Sequence, residues 1–215
     1  MSIINTFESI KQEVEINSVN ENPNIIAVSK TFPISHIKPL IDYGHNHYGE
    51  NKVQEAEKKW LEVKRDNSLL RLHMIGRLQS NKAKKAIELF DYIHSLDNEK
   101  LAIELNKREL EKNKKLKYFI QVNLGSEDQK GGIQIEKLKE FFNFCNNNTQ
   151  LSIVGLMAIP PNDNNSERYF KKIAELNKDL GLKELSIGMS NDYIDALKSG
   201  ASFLRIGSAI FGKRS

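Results

Sequence analysis

Three groups of residues place reactive or charged chemistry where this chain is otherwise apolar. Ile25-Ile26-Ala27-Val28-Ser29 is an apolar run that ends on Lys30, and Thr31-Phe32-Pro33 follows as a turn. An ammonium there gives up part of its hydration, which lowers its pKa and frees an amine for imine chemistry with an aldehyde. The plainer reading is a strand-end lysine snorkelling into solvent. Phe203-Leu204-Arg205-Ile206 sets a guanidinium inside an apolar run, where it requires a partner. A carboxylate such as Asp97, or a ligand nitrogen, would serve. Ser190-Asn191-Asp192 and Gly207-Ser208 each follow an apolar run. Gly207 lets the backbone approach an anion, the N–H groups of Gly207 and Ser208 can donate to it, and Ser190 adds a hydroxyl at the start of a helix. A helix cap at Ser190 and a turn at Gly207 are the plainer readings. An amine, a guanidinium and an anion cradle together describe a site for an aldehyde phosphate.

The elements that must position these groups alternate regularly. Strand-like runs fall at Ile25–Ser29, His47–Gly49, Arg71–Ile75, Tyr92–Leu96, Tyr118–Asn123, Ser152–Met157, Leu185–Gly188 and Phe203–Ile206. Between them, helical periods occupy 34–42, 51–65, 80–90, 97–113, 134–148, 166–180 and 190–199. A further helix opens the chain, with Ile3, Phe7, Ile10 and Val14 on one face. Such alternation implies parallel strands with crossover helices, either a closed (β/α)8 barrel or an open doubly wound sheet. No Gly-x-Gly-x-x-Gly follows the first strand, so the barrel is favoured. In a barrel, strand C-termini form the site face, and the loops after strands seven and eight are the usual phosphate location. Lys30, Ser190 and Gly207 all lie at such ends.

Composition bounds the rest. The chain has 215 residues, 32 Lys+Arg against 28 Asp+Glu, a net charge of +4 and one cysteine. The length suits one domain over residues 1–215, and a lone cysteine excludes a disulfide scaffold and a cysteine zinc site. No apolar run approaches a bilayer span, and Met1-Ser2-Ile3-Ile4-Asn5-Thr6-Phe7-Glu8 lacks the pattern of a secretory signal, so a cytoplasmic, membrane-free protein is expected. A pI near 9.0 raises nucleic acid, but the basic residues are interleaved with acids, as in Glu57-Lys58-Lys59 and Glu111-Lys112-Asn113-Lys114-Lys115. They read as solvated faces, with no nucleic-acid partner. Cys145 shares a helix face with Leu138, Phe141 and Phe142 and reads as core. His45-Asn46-His47 has no third ligand group nearby and reads as structural or solvent-facing, so no metal is expected. His73 and His94 on strands read as satisfied core or pocket-lining groups.

Several separated motifs give the chain a family resemblance. They are Ala27-Val28-Ser29-Lys30-Thr31, Tyr48-Gly49-Glu50-Asn51-Lys52-Val53-Gln54-Glu55, His73-Met74-Ile75-Gly76-Arg77-Leu78-Gln79-Ser80-Asn81-Lys82, and Val122-Asn123 with Glu127, Lys130 and Gly131. Gly155-Leu156-Met157-Ala158-Ile159-Pro160, Gly188-Met189-Ser190 with Asp192, and Arg205-Ile206-Gly207-Ser208-Ala209-Ile210-Phe211-Gly212 complete the set. In this order they resemble the pyridoxal phosphate homeostasis family, relatives of the alanine racemase barrel domain. The resemblance implies a single fold-type III (β/α)8 barrel, with an extra N-terminal helix, that binds pyridoxal 5′-phosphate (PLP). It makes Lys30 the Schiff-base lysine, sets Arg205 against the pyridine nitrogen, and assigns the phosphate to Ser190, Gly207 and Ser208. Asn51 would lie near the cofactor's polar edge and Ile75 on its ring; a helix cap and ordinary core are their plainer readings. Lys130 matches a family lysine, although a solvated loop lysine fits equally, and a second lysine common two residues after the first is Phe32 here.

The resemblance also bears on mechanism. Arginine beside the pyridine nitrogen disfavours its protonation and weakens the ring as an electron sink. Alanine racemase draws a second base from an additional domain, and here the sequence stops at Lys213-Arg214-Ser215. The expectation is a monomeric protein that binds, buffers and delivers PLP, with PLP-dependent apo-enzymes as candidate recipients, without amino-acid turnover. The rivals are a fold-type III racemase or lyase, and a barrel without PLP whose Lys30 is structural.

Overall fold

Short apolar runs bounded by turns form strands here, and their buried backbone groups are satisfied by pairing with one another. The structure, a computed structural model, describes residues 2–125, 131–161, 163 and 165–212. Its strands are β1 (Asn24–Val28), β2 (His47–Glu50), β3 (Arg71–Met74), β4 (Tyr92–Leu96), β5 (Lys117–Asn123), β6 (Ile133–Gln134), β7 (Ser152–Ala158), β8 (Glu184–Met189) and β9 (Phe203–Ile206). All pairings are parallel, in the order β4-β3-β2-β1-β9-β8-β7-β5, and β4 pairs with β5 to close the ring. The result is a closed barrel of eight strands, each matching one of the apolar runs, so the favoured architecture is the observed one. The short β6 attaches outside the ring, on the end of β5 at Val122 and Asn123.

The helices are α1 (Ile3–Asn17), α2 (Ile34–Asp42), α3 (Val53–Asp66), α4 (Ala83–Leu89), α5 (Glu99–Lys112), α6 (Ile135–Asn148), α7 (Ser166–Asp179), α8 (Tyr193–Lys198) and α9 (Ser208–Phe211). The segment expected as helix from residue 80 begins as a 3₁₀ turn, Ser80–Lys82. Helix α1 is the expected extra one; Ser2 caps it by accepting the Asn5 N–H at 3.2 Å, and Phe7, Ile10 and Val14 are its buried face. The main core lies between helices and the outer barrel wall, where Trp60, Tyr48, Tyr118 and Phe170 are fully buried. A second, smaller apolar cluster of Ile26, Phe119, Met157 and Phe203 lies apart from it. Cys145 is core, and burial pushes its thiol up to about 12, so it is unreactive at neutral pH. Among the described residues, no helix is long and apolar enough to cross a membrane, and no group of three or more His, Cys, Asp or Glu could hold a metal.

Two lysines depart from the solvated reading. The Lys59 ammonium is buried and donates to the Ser29 carbonyl at 2.8 Å and to Glu50 Oε1 at 2.9 Å. Lys114 donates to the carbonyls of Ile87 (2.7 Å) and Phe90 (2.9 Å), and burial lowers its pKa to about 8. Both tie one element to another, which charge interleaving along the sequence does not reveal.

Candidate functional site

The C-terminal ends of β1, β2, β3, β7, β8 and β9 surround a cleft of about 700 Å³. Lys30, Asn51, Ile75, Ser190, Arg205, Gly207 and Ser208 all line it, so residues far apart in sequence converge. Met189, Asp192 and Phe32 line it as well. Lys130 and Glu127 lie outside the described residues.

Lys30 follows directly on β1, where the backbone is held on both sides. Ser29 donates its N–H to the Gly49 carbonyl at 3.0 Å, while its own carbonyl accepts from Lys59. Thr31 has φ of +70°, a left-handed conformation unfavourable for a β-branched residue, and its N–H donates to Glu55 Oε1 at 2.6 Å. Beneath this segment Glu50 is fully buried. Its Oε1 accepts from Ser29 Oγ (2.7 Å), Lys59 Nζ (2.9 Å) and Trp60 Nε1 (2.9 Å). Burial pushes the Glu55 carboxyl upward, but the Thr31 N–H and the Lys59 ammonium outweigh it and hold the group below its usual range. Sequence spacing offered only a faint signal for this arrangement: Glu55 and Lys59 are one helical turn apart.

Arg205 is buried at the bottom of the cleft. Its Nη1 donates to the Ser186 carbonyl (2.6 Å) and hydroxyl (2.8 Å), and its Nη2 to the Ala158 carbonyl (2.9 Å). The expected carboxylate partner Asp97 is not among these; it accepts instead from Asn98 Nδ2 at 2.7 Å. The strand geometry explains this, because β9 lies beside β8 while Asp97 follows β4 across the barrel. Burial lowers the guanidinium to about 10, opposed by the Asp192 charge, so it remains cationic at neutral pH. Its Nε–H and one Nη2 hydrogen are not used by these bonds.

Ser190 does not start the next helix: Asp192 holds the cap position of α8 and accepts the Met189 N–H at 2.6 Å. Ser190 Oγ instead reaches across and accepts the N–H groups of Gly207 (3.3 Å) and Ala209 (3.2 Å). Gly207 leaves little room for a side chain, because an added Cβ would come within 3.2 Å of Val28 Cβ. Asn51 is likewise no cap, since Lys52 holds that position of α3. Gly76 secures both Asn51 and Ile75: a Cβ there would lie 2.4 Å from the Asn51 carbonyl oxygen. Phe32 stacks on His36 (4.9 Å, 15°) and packs against Phe211, so the position two after Lys30 is aromatic wall.

The donor set is chemically specific: one amine, a cationic guanidinium with spare donors, and a hydroxyl facing backbone N–H groups. It suits a small anionic aldehyde with a polar ring.

Comparison with known proteins places the chain in a family. The family model for alanine racemase, N-terminal domain, matches residues 10–215. The pyridoxal phosphate homeostasis protein of Aquifex aeolicus is 40% identical over 217 residues, covering 96% of this chain and 94% of that protein. The Haemophilus influenzae protein of that name is 37% identical over 230 residues, covering 100% and 97%. Among solved structures, PipY of Synechococcus elongatus with PLP bound superposes with a TM-score of 0.89 at 33% identity, over 98% of this chain and 100% of that one. An alanine racemase of Clostridium difficile 630 has a TM-score of 0.74 at 15% identity, with 57% of its chain covered, and is similar in fold alone.

Proposed function

Because the chain belongs to the alanine racemase N-terminal domain family, and within it to the pyridoxal phosphate homeostasis proteins, we propose that it holds, buffers and releases PLP at this cleft. The observation that carries the reading is that Lys30, Arg205 and the Ser190–Gly207–Ser208 group line one cavity. When bound, PLP supplies an aldehyde, a phosphate and a pyridine ring that can withdraw electrons. Lys30 is the amine for the aldehyde carbon. Gly207 and Ser208 N–H groups and the Ser190 hydroxyl would receive the phosphate, with the close approach that Gly207 permits. Arg205 would donate a spare N–H toward the pyridine nitrogen, and Asn51 and Ile75 would fix the ring's edge and face.

The same residues argue against amino-acid turnover. A buried cationic guanidinium keeps a proton off the pyridine nitrogen and so limits carbanion stabilisation. Racemisation also needs two bases on opposite faces of the substrate. Among the described cleft residues the only ionisable group besides Lys30 and Arg205 is Asp192, which accepts the Met189 N–H, and none is a tyrosine. In this reading the protein is a cytoplasmic monomer, and PLP-dependent apo-enzymes are its recipients.

Absorption spectra of the purified protein, with and without added PLP, test the site. A yellow protein whose chromophore borohydride fixes and Lys30→Ala abolishes supports it; a colourless protein that cannot be loaded refutes it. Incubation with each common L-amino acid tests turnover, with sustained formation of D-isomer or keto acid the result that would make it an enzyme.

A further inference from the structure

The interior of a (β/α)8 barrel is usually filled by bulky branched aliphatic side chains. Here a line of hydrogen-bonded imidazoles runs beside the Phe119 and Phe203 rings of the small apolar cluster. His47 Nδ1 lies 3.0 Å from His73 Nε2, His73 Nδ1 lies 2.9 Å from His94 Nε2, and His94 Nδ1 lies 2.9 Å from Ser186 Oγ. Ser186 Oγ in turn accepts from Arg205 Nη1 at 2.8 Å. His47 opens β2 at the N-terminal mouth of the barrel, whereas Arg205 lies at the cleft. The line therefore joins the two ends of the barrel. We propose that His47, His73, His94 and Ser186 form a relay of fixed direction that positions Arg205 for the cofactor ring.

The direction follows from counting protons. Arginine can only donate, so Ser186 Oγ must accept from Arg205. Among the described residues the Ser186 hydroxyl has no other neighbour than His94 to receive its own proton. It therefore donates to His94 Nδ1, which places the His94 proton on Nε2. That proton goes to His73 Nδ1, the His73 Nε2 proton goes to His47 Nδ1, and His47 keeps its proton on Nε2. Each link then holds one hydrogen. In the reverse direction the buried Ser186 hydroxyl proton would have no acceptor, which is unfavourable.

Stacking fixes the rings in this arrangement: His73 lies on Tyr92 (4.3 Å, 14°) and His94 on Phe119 (4.3 Å, 13°). Titratable and charged groups around the line are Arg205 at its inner end, Arg71 and Asp91 beside His47, and Lys64 and the neutral His45 farther from His73. Burial holds His73 and His94 well below the usual histidine range, so both are neutral, as the relay requires. A proton added at His47 Nδ1 would oppose the His73 N–H, so neutrality of the outer member keeps the line intact.

The proposal rests on the PLP reading only for what Arg205 faces, and the test separates the two. In unloaded protein with ¹⁵N-labelled histidine, long-range ¹H–¹⁵N spectra should find His47, His73 and His94 all protonated on Nε2, and Ser186→Ala should lose that single pattern at His94. Side chains that merely fill space would show mixed tautomers in the parent, or no change in Ser186→Ala. Either result overturns the relay, whatever PLP does. In loaded protein, His47→Phe removes the outer acceptor far from the cleft and should release PLP about 3- to 10-fold faster, while His47→Gln, whose amide oxygen can accept, should restore the parent rate. Equal release from both variants and the parent would refute positioning of Arg205. If His47→Phe does not fold, the parent and Ser186→Ala spectra decide the relay, and His47→Leu, which also lacks an acceptor, takes its place in the release experiment.

Discussion

Glu55 Oε1 accepts the Thr31 N–H at 2.6 Å, and so holds the residue after Lys30 in a left-handed conformation. That bond sets where the Lys30 side chain leaves the backbone, and it is made by a carboxylate kept below its usual range. Glu55→Ala should release PLP faster than the parent, and Glu55→Gln, which retains an acceptor oxygen, should lie between them. A dilution experiment following the visible absorption decides; identical rates for Ala and parent would remove Glu55 from the site. The sign with pH follows from the lowered carboxyl pKa. The contribution is complete above the unfolded carboxylate pKa and is lost as pH falls through the folded one, so acid should loosen the Lys30 segment.

Glu50 and Lys59 are a buried pair, and breaking it on one side leaves a charge without its partner. Lys59→Met should cost about 3–5 kcal/mol in urea unfolding. Combining it with Glu50→Gln should recover part of that loss, because the stranded charge is gone. A double variant no more stable than Lys59→Met alone would contradict the pairing.

Gly76→Ala should be destabilising by about 1–3 kcal/mol, since the new methyl would meet the Asn51 backbone and force it away. PLP retention should fall with it, because Asn51 and Ile75 move together. A fully stable variant with unchanged retention would mean that this close approach is dispensable.

Ser190→Ala leaves the Gly207 and Ala209 N–H groups without the oxygen they donate to. Weaker PLP retention with an unchanged unfolding midpoint is expected, and inorganic phosphate should compete less well for the variant's cleft than for the parent's. Equal competition would place the phosphate elsewhere.

His45 packs on Phe7 (4.6 Å), and burial lowers its pKa to about 4. The unfolded chain takes up the proton first, so stability is full above the unfolded histidine pKa and declines as pH falls toward 4. His45→Phe should flatten that decline by up to about 1.4 kcal/mol per pH unit across the window. Parallel pH profiles for parent and variant would contradict a neutral buried ring.

The sequence made the barrel legible because its strands are nearly pure apolar runs separated by helical periods, and even the short His47–Gly49 run paired as expected. Lys30 and Arg205 stood out because charge in an apolar strand is costly and so must have a use. Asn51 and Ile75 were visible only through the resemblance, since an asparagine before a helix and an isoleucine after a strand are ordinary by themselves. Of the two partners open to Arg205, a carboxylate such as Asp97 or a ligand nitrogen, the structure removes Asp97, because nothing in one strand says which strand closes beside it.

Residue order by itself determined which segments are strands, which faces are apolar, and that Lys30, Arg205 and the Ser190, Gly207 and Ser208 positions stand at strand ends. Ring closure decided the rest. Parallel pairing of β9 with β8 and β1 brought Arg205 to Ser186 and Gly207 to Val28. The stagger of β2, β3 and β4 set three histidines, scattered over 47 to 94, within hydrogen-bond distance of one another. Sequence periodicity fixes which way a side chain points along its own strand, whereas the register between strands determines what it meets.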